Sequence, residues 1–317
     1  MTVDVVAGTA HLFALADEAT SRRLLETAWD AGVRRFDTAP LYGGGRSEPA
    51  LGAFLADRAD AAGDDGVLAV TTKTGLAPRT GRRSPRQLAT GAARRLLPAG
   101  PARALDAALD RRETRPTGRF GADAVRASVE RSLRHLGGRV DRLLLHEVSP
   151  HDVDEELLGA LRALLAAGDV GAVGVATANR LTAAAVARGE GLLTVVHHEV
   201  GPLAAPVDLP ASVTTRVGHG LLGGGGSHLA ALRGALDADP ALAGRWREAV
   251  RGTAFDAPGG LAEALLGRAA HLPVDEVLVA TTQPARLPRT VALARGDVAV
   301  PAPVLAVLDE AAAVARR

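Results

Sequence analysis

Short apolar runs recur along this chain at intervals that leave room for a helix, and that alternation limits the folds open to it more than any other feature. The runs fall at residues 3–6, 33–36, 67–72, 140–145, 170–175, 192–196, 212–217 and 276–280. Each has the length of a strand, and most are rich in valine, which packs well on a pleated surface. The stretches between them carry helical periodicity. Leu24, Leu25, Ala28 and Trp29 draw an apolar stripe along a helix capped by Thr20 or Ser21, which runs to Ala31 and is closed by Gly32. Further helices are expected at 47–55, 123–136, 153–166, 181–187, 229–236, 242–250, 261–270, 284–294 and 304–314. Strands joined through helices pair in parallel, because each crossover returns the chain to the end of the sheet where the last strand began. A closed β/α barrel and an open doubly wound sheet both meet that requirement. No Gly-x-Gly-x-x-Gly follows the first run, and no acidic residue stands at the offset that would hold a ribose, which argues against a doubly wound dinucleotide domain.

Two intervals break the rhythm. Residues 76–119, rich in Arg, Pro and Ala, are far longer than the few residues that usually join a strand to a helix. They read as an insertion over the rim with helices near 86–96 and 102–111; a substrate lid and a mobile basic loop both suit that composition. Between the sixth and seventh strands, residues 199–211 carry Pro202, Pro206 and Pro210. Proline lacks a backbone donor and clashes with the preceding turn, so the crossover helix there is expected to be shortened or missing. The whole, residues 1–317, is expected to form a single domain.

Composition excludes several kinds of function. With 37 Lys and Arg against 36 Asp and Glu, the formal net charge is +1. Nothing in that balance, or in the even spread of basic residues, points to nucleic acid or a membrane surface. The chain has no cysteine, hence no disulfide, thiolate nucleophile or Cys-ligated metal. The N-terminus lacks a basic region followed by an apolar segment, and no run approaches the roughly 20 apolar residues of a membrane span. A cytoplasmic monomer or simple homo-oligomer acting on a small molecule is expected. His197, His198 and Glu199 resemble a metal cluster only on paper, because neighbouring strand residues point to opposite faces; no metal site is expected.

Four residues share one address. Asp37, Lys73 and His146 fall at the ends of the second, third and fourth strands, and Tyr42, the one tyrosine of the chain, sits on the Pro/Gly-rich loop after Asp37. In a barrel, strand ends converge on one face. Each residue has an ordinary structural use: the Asp caps a loop, the Lys snorkels, the His satisfies a rim, the Tyr packs. Together they make a proton-transfer device. A phenol has an unperturbed pKa of about 10, and a neighbouring ammonium is expected to lower it. A carboxylate compensates and fixes that ammonium, and an imidazole can hydrogen-bond a carbonyl oxygen. Such an acid suits carbonyl reduction, where charge develops on oxygen.

The segment Gly32-Val-Arg-Arg-Phe-Asp-Thr-Ala-Pro-Leu-Tyr-Gly43, followed by Gly45-Arg-Ser-Glu48 and Leu51-Gly52, resembles the first signature of the aldo-keto reductases. Thr72-Lys73 is similar to the lysine strand of that family. Ser132–Leu136 with Val140–His146 is similar to its histidine strand, and weaker likeness recurs near 170–175 and 277–287. The wording of the first block lies nearest the bacterial sugar and aldose dehydrogenase-like branch. The resemblance implies a (β/α)8 TIM barrel and reversible NADP(H)-dependent reduction of an aldehyde or ketone, with Asp37, Tyr42, Lys73 and His146 as the catalytic tetrad. For the cofactor it implies Asn179 and His197 after strands five and six, Gly220 and Leu221 after strand seven, and Arg286 or Arg289 for an adenosine 2′-phosphate. The chain departs from the family pattern there. Ala176-Thr177-Ala178-Asn179 replaces a Ser-Asn, His197 replaces a Gln, and no aromatic residue is evident to stack on the nicotinamide. Two other readings therefore stand beside reduction: an acid–base enzyme that needs no cofactor (elimination, isomerisation or cyclisation), and a non-catalytic barrel that binds a ligand or partner.

Overall fold

The computed structural model describes residues 3–13, 17–58, 68–76 and 119–317. Eight strands close on themselves in sequence order. They are β1 (Asp4–Gly8), β2 (Arg35–Asp37), β3 (Ala69–Thr74), β4 (Arg142–His146), β5 (Ala172–Ala176), β6 (Val195–Glu199), β7 (Thr215–His219) and β8 (Glu276–Val279). Every neighbouring pair is parallel, and β8 returns to β1 through a register running from Asp4↔Glu276 to Ala7↔Val279. Closure leaves no strand edge unpaired. The fold is the expected (β/α)8 TIM barrel.

Most strands begin two or three residues into the apolar run that announces them. Val33, Val140, Val170 and Leu193 are buried, but they lie on the approach to the barrel rather than in it. They pack under its lower rim, where helix and strand meet. The strands also continue past the apolar run into polar sequence. β3 holds Lys73 and Thr74, β6 holds His197 to Glu199, and β7 holds Gly218 and His219. A parallel ladder is satisfied by backbone groups whatever the side chain, so hydrophobicity alone marks these ends too early.

The helices are α1 (Glu18–Asp30), α2 (Ser47–Ala56), α3 (Ala122–His135), α4 (Glu155–Ala167), α5 (Asn179–Arg188), α6 (Ser227–Ala238), α7 (Pro240–Val250), α8 (Gly260–Gly267), α9 (Leu287–Arg295) and α10 (Ala302–Ala315). The cap of α1 is Asp17, which accepts from the Thr20 amide at 2.7 Å, not Thr20 or Ser21. Ser21 is buried, and its hydroxyl accepts from the Phe13 amide. The helices expected at 86–96 and 102–111, with nearly all of the 76–119 insertion, lie outside the described residues. The Arg119 amide donates to the Gly75 carbonyl at 2.8 Å, so the flanks of that interval meet at the top of β3.

No helix joins β6 to β7, as the prolines require. Three helices, α6 to α8, instead join β7 to β8, and α10 packs across α6 and α7. Leu232, Leu242, Phe255, Leu265, Val304 and Leu308 form a second apolar cluster there, separate from the core beneath the other helices. Leu203, from the helix-free connection, packs on that cluster, and Arg316 donates to the Pro202 carbonyl. The lower mouth of the barrel is closed by charge. Arg142 on β4 forms two hydrogen bonds, at 2.7 and 2.8 Å, to Glu276 on the opposite strand β8, and Arg35 bonds Asp4 at 2.7 Å. That bottom layer leaves the upper mouth as the place where a cleft can open.

Candidate active site

The upper ends of the strands enclose a cleft of about 390 Å³. Asp37, the last residue of β2, and Lys73, next to last in β3, meet at its floor. The Lys73 ammonium donates to both Asp37 oxygens, at 2.6 and 2.7 Å, and to the Thr38 carbonyl at 3.1 Å. Both side chains are almost wholly shielded from water. A buried ion pair is tolerated only where its remaining hydrogen-bonding groups are met, and here the carbonyl supplies the third contact.

Tyr42 opens a single 3-10 turn, Tyr42–Gly44, immediately before α2. The chain reverses there through Gly43, Gly44 and Gly45, with φ of 59°, 68° and 91°. A side chain at Gly43 would also strike the Leu12 carbonyl at 2.8 Å. The glycine run thus brings the phenol back over the barrel mouth. The Lys73 nitrogen lies 4.9 Å from the centre of the Tyr42 ring, and the His146 ring stands edge-on to it at 6.0 Å. The structure brings all four residues to one cleft.

The electrostatics differ from the sequence-based expectation in one respect. The Tyr42 pKa is raised, not lowered: burial is the larger influence and outweighs the Lys73 ammonium, which does favour the phenolate. For Lys73, burial favours the neutral amine, but Asp37 and Tyr42 more than offset it, and the group is held as an ammonium. Burial raises the Asp37 carboxyl, against the pull of Lys73. Burial and the nearby ammonium depress His146 to about 3, so it is a neutral imidazole at physiological pH. The arrangement offers a protonated phenol, a fixed cation beside it and an uncharged imidazole facing the same space.

The residues expected to hold a cofactor divide into two groups. Asn179, His197 and Gly220 line the cleft; Leu221, Arg286 and Arg289 do not. The Asn179 carboxamide donates to the Glu199 and Ala205 carbonyls, at 2.8 and 2.7 Å, and accepts from the Glu199 amide at 2.8 Å. It braces the connection that lacks a helix. His197 is buried with Nδ1 3.7 Å from Asp37, while its Nε2 has no hydrogen-bond partner among the described residues. Leu221 belongs to the core, Arg289 is paired with Glu263 at 2.8 Å, and Arg286 is exposed. Sequence reasoning missed His219, which ends β7 and faces the cleft, with burial holding its pKa down at about 4. It occupies the same address as the other strand-end residues, but the seventh strand was expected to stop at Val217. Glu147, Glu199 and His11 also line the cleft without having been singled out for it. Among the described residues, no cluster of three ligands can hold a metal, and no helix is long and apolar enough to cross a membrane.

Curated relatives and solved structures share features of this chain. It is 36% identical over 178 residues to D-threo-aldose 1-dehydrogenase of Pseudomonas sp, a match covering 53% of this chain and 47% of that protein. It is 34% identical over 149 residues to pyridoxal 4-dehydrogenase of Microbacterium luteolum, covering 44% of this chain and 38% of that protein. The matched stretch thus spans less than half the length of each relative. A solved structure named "Putative aldo-keto reductase from Pseudomona aeruginosa" superposes with a TM-score of 0.58 at 20% identity, over 93% of this chain and 90% of that one, a likeness of fold. The model of the aldo/keto reductase family matches residues 4–201, the part that carries the ion pair, the phenol and the imidazole, and the chain belongs to that family.

Proposed function

We propose that the protein is an NADP(H)-dependent oxidoreductase that reversibly reduces an aldehyde or ketone, with Tyr42 as general acid assisted by Lys73, Asp37 and His146. One observation carries the reading: the sole tyrosine stands over a buried Asp37–Lys73 ion pair at the mouth of a barrel. Membership in a family whose named relatives here are dehydrogenases of an aldose and of pyridoxal supports it. By analogy with those names, the substrate is a small polar carbonyl compound or its cyclic hemiacetal.

The cleft fits the ring end of such a cofactor better than its phosphate end. His197 Nε2 is a buried polar atom without a partner among the described residues, and Gly220, at φ 71°, presents backbone to the cleft. Asn179 would enter as the brace of that wall, with its second Oδ1 lone pair as its one remaining acceptor. For the phosphates, the described residues offer the backbone of Gly223 to Gly226 before α6, with Arg286 and, if it leaves Glu263, Arg289. When bound, the reduced nicotinamide supplies hydride to the carbonyl carbon. Tyr42 donates its proton to the carbonyl oxygen, so that carbon and oxygen together gain the equivalent of two hydrogens. Lys73 stabilises the phenolate left behind, Asp37 keeps Lys73 charged and in place, and neutral His146 orients the carbonyl by hydrogen bonding.

The test is titration of the purified protein with NADPH, followed by fluorescence or calorimetry. Saturable binding and NADPH-dependent turnover of small aldehydes are expected; no binding at high micromolar concentration overturns the proposal. The engaged carboxamide of Asn179 favours one second reading, acid–base chemistry without redox on the same residues. Turnover by nucleotide-free protein would support it, and strict dependence on NADPH excludes it.

A further inference from the structure

We infer that Arg46, Ser47 and Glu48 form the device that holds Tyr42 in register with Lys73, with Glu48 as its central positioning residue. The inference rests on Tyr42 being the proton donor. The three residues follow the glycine turn directly, and each reaches a different neighbour. Arg46 donates to the Gly43 carbonyl at 3.1 Å and to the Phe13 carbonyl at 2.9 Å, and its guanidinium lies 4.9 Å from the centre of the Phe13 ring. It thereby ties the turn that carries Tyr42 to the loop after β1. The Ser47 hydroxyl donates to the Thr9 carbonyl at 3.3 Å, a second tie to the same loop.

Glu48 reaches the other way. Its carboxyl is buried, which is costly for such a group unless partners replace water. The partners are the Thr72 hydroxyl at 2.6 Å, the Ser132 hydroxyl at 2.8 Å and His135 Nδ1 at 3.5 Å. Thr72 is the residue before Lys73. One carboxyl group therefore joins the helix that begins behind Tyr42 to the strand that presents Lys73, and anchors both to α3. Gly52, one helical turn further along α2, makes the approach possible. A Cβ there would stand 1.9 Å from the His135 carbonyl oxygen. Glu48 and Gly52 share a face of α2, so the close helix contact and the buried carboxyl are parts of one joint.

None of these residues lines the cleft. Their effect on chemistry passes through the separation of phenol and ammonium, on which the phenolate depends. The groups whose charges act on that phenol are Lys73, Asp37 and Glu147, with neutral His146 packed beside it. A misplacement near 1 Å is enough to slow such a reaction by about 100-fold.

The experiment compares Glu48→Ala, Glu48→Gln and Arg46→Ala with the parent, together with Tyr42→Phe, by steady-state kinetics from pH 6 to pH 10. Near-UV circular dichroism selects the variants that are folded. Glu48→Ala is expected to lower kcat by about 10- to 100-fold with little change in KM, and to displace the alkaline limb of the rate profile. Glu48→Gln, whose amide oxygen can still accept from both the Thr72 and Ser132 hydroxyls, restores most of the rate. Arg46 is exposed, so Arg46→Ala is expected to stay folded and to show a smaller loss of the same kind. Folded variants with unchanged kcat and pH profile overturn the inference, as does a loss that Gln does not rescue and that leaves the profile in place. If Tyr42→Phe retains activity, the functional reading fails; if Tyr42→Phe is inactive while the Glu48 and Arg46 variants behave like the parent, only the positioning role fails.

Discussion

The proton on Tyr42 is the first thing the cleft controls. Burial holds it on the phenol more firmly than the neighbouring ammonium loosens it, and this favours one direction of reaction. In the proposed reaction, reduction uses the protonated phenol, so its rate is expected to hold steady through neutrality and to fall only above the ordinary phenol range, about pH 10. Oxidation uses the phenolate and is expected to climb throughout that interval. Lys73→Met removes the influence that opposes burial, raises the phenol further and slows oxidation more than reduction. Rate profiles in both directions check this, and an oxidation rate flat from pH 7 to 10 contradicts it. Tyr42→Phe is expected to cost about 100- to 10,000-fold in either direction, the usual contribution of a positioned acid or base. These four residues could be picked out because three are chemically distinctive side chains where an apolar run stops, and the fourth is the one tyrosine, on the loop that follows the first of them. Their balance was not: the sign of the Tyr42 shift depends on how much water the fold removes, and no spacing of residues encodes that.

At the scale of elements, the sequence exposed what was missing more readily than where things end. Three prolines announced a β6–β7 connection without a helix, while the strand limits shifted because apolar residues continue below the barrel and polar residues line its upper rim. Asn179 illustrates the limit. It starts α5 where an amide was expected to face a cofactor, yet its hydrogen bonds go to the backbone of the helix-free connection. A short polar side chain at a helix start serves either purpose, and only the path of residues 199–205 decides between them. Asn179→Ala strips partners from the Glu199 amide and carbonyl and from the Ala205 carbonyl. It is expected to cost on the order of 1–3 kcal/mol in denaturant unfolding and to speed amide exchange at Glu199. A variant as stable as the parent, with unchanged exchange, removes the brace from this account.

For the whole molecule, the two mouths of the barrel respond differently to acid. The lower one is closed by paired charges of both signs, Arg142 and Arg35 with Glu276 and Asp4. The upper one gathers imidazoles that burial keeps neutral. His146 is depressed to about 3 and His219 to about 4, and His197 lies well below its ordinary value. Around them stand Lys73, Asp37, Glu147 and Glu199. In the unfolded chain each imidazole titrates at about 6.5. Below that pH the unfolded state takes up protons that the folded state refuses, so stability is full above pH 6.5 and drains as pH falls towards the folded values. Each such group contributes a slope of roughly 1.4 kcal/mol per pH unit, and three acting together reach roughly 4. Asp37, raised by burial, works in the opposite sense, but it is one group against three. Total stabilities of domains are about 5–15 kcal/mol, so unfolding is expected to set in near pH 5, well before most carboxylates are protonated. Thermal melts between pH 8 and pH 4.5 test this. The melting temperature should hold to about pH 6.5 and then drop steeply, and His219→Asn should make the drop shallower by about one proton. A melting temperature unchanged down to pH 5 would mean that these imidazoles gain protons without unfolding, and that the cleft is wetter and more compliant than its packing implies.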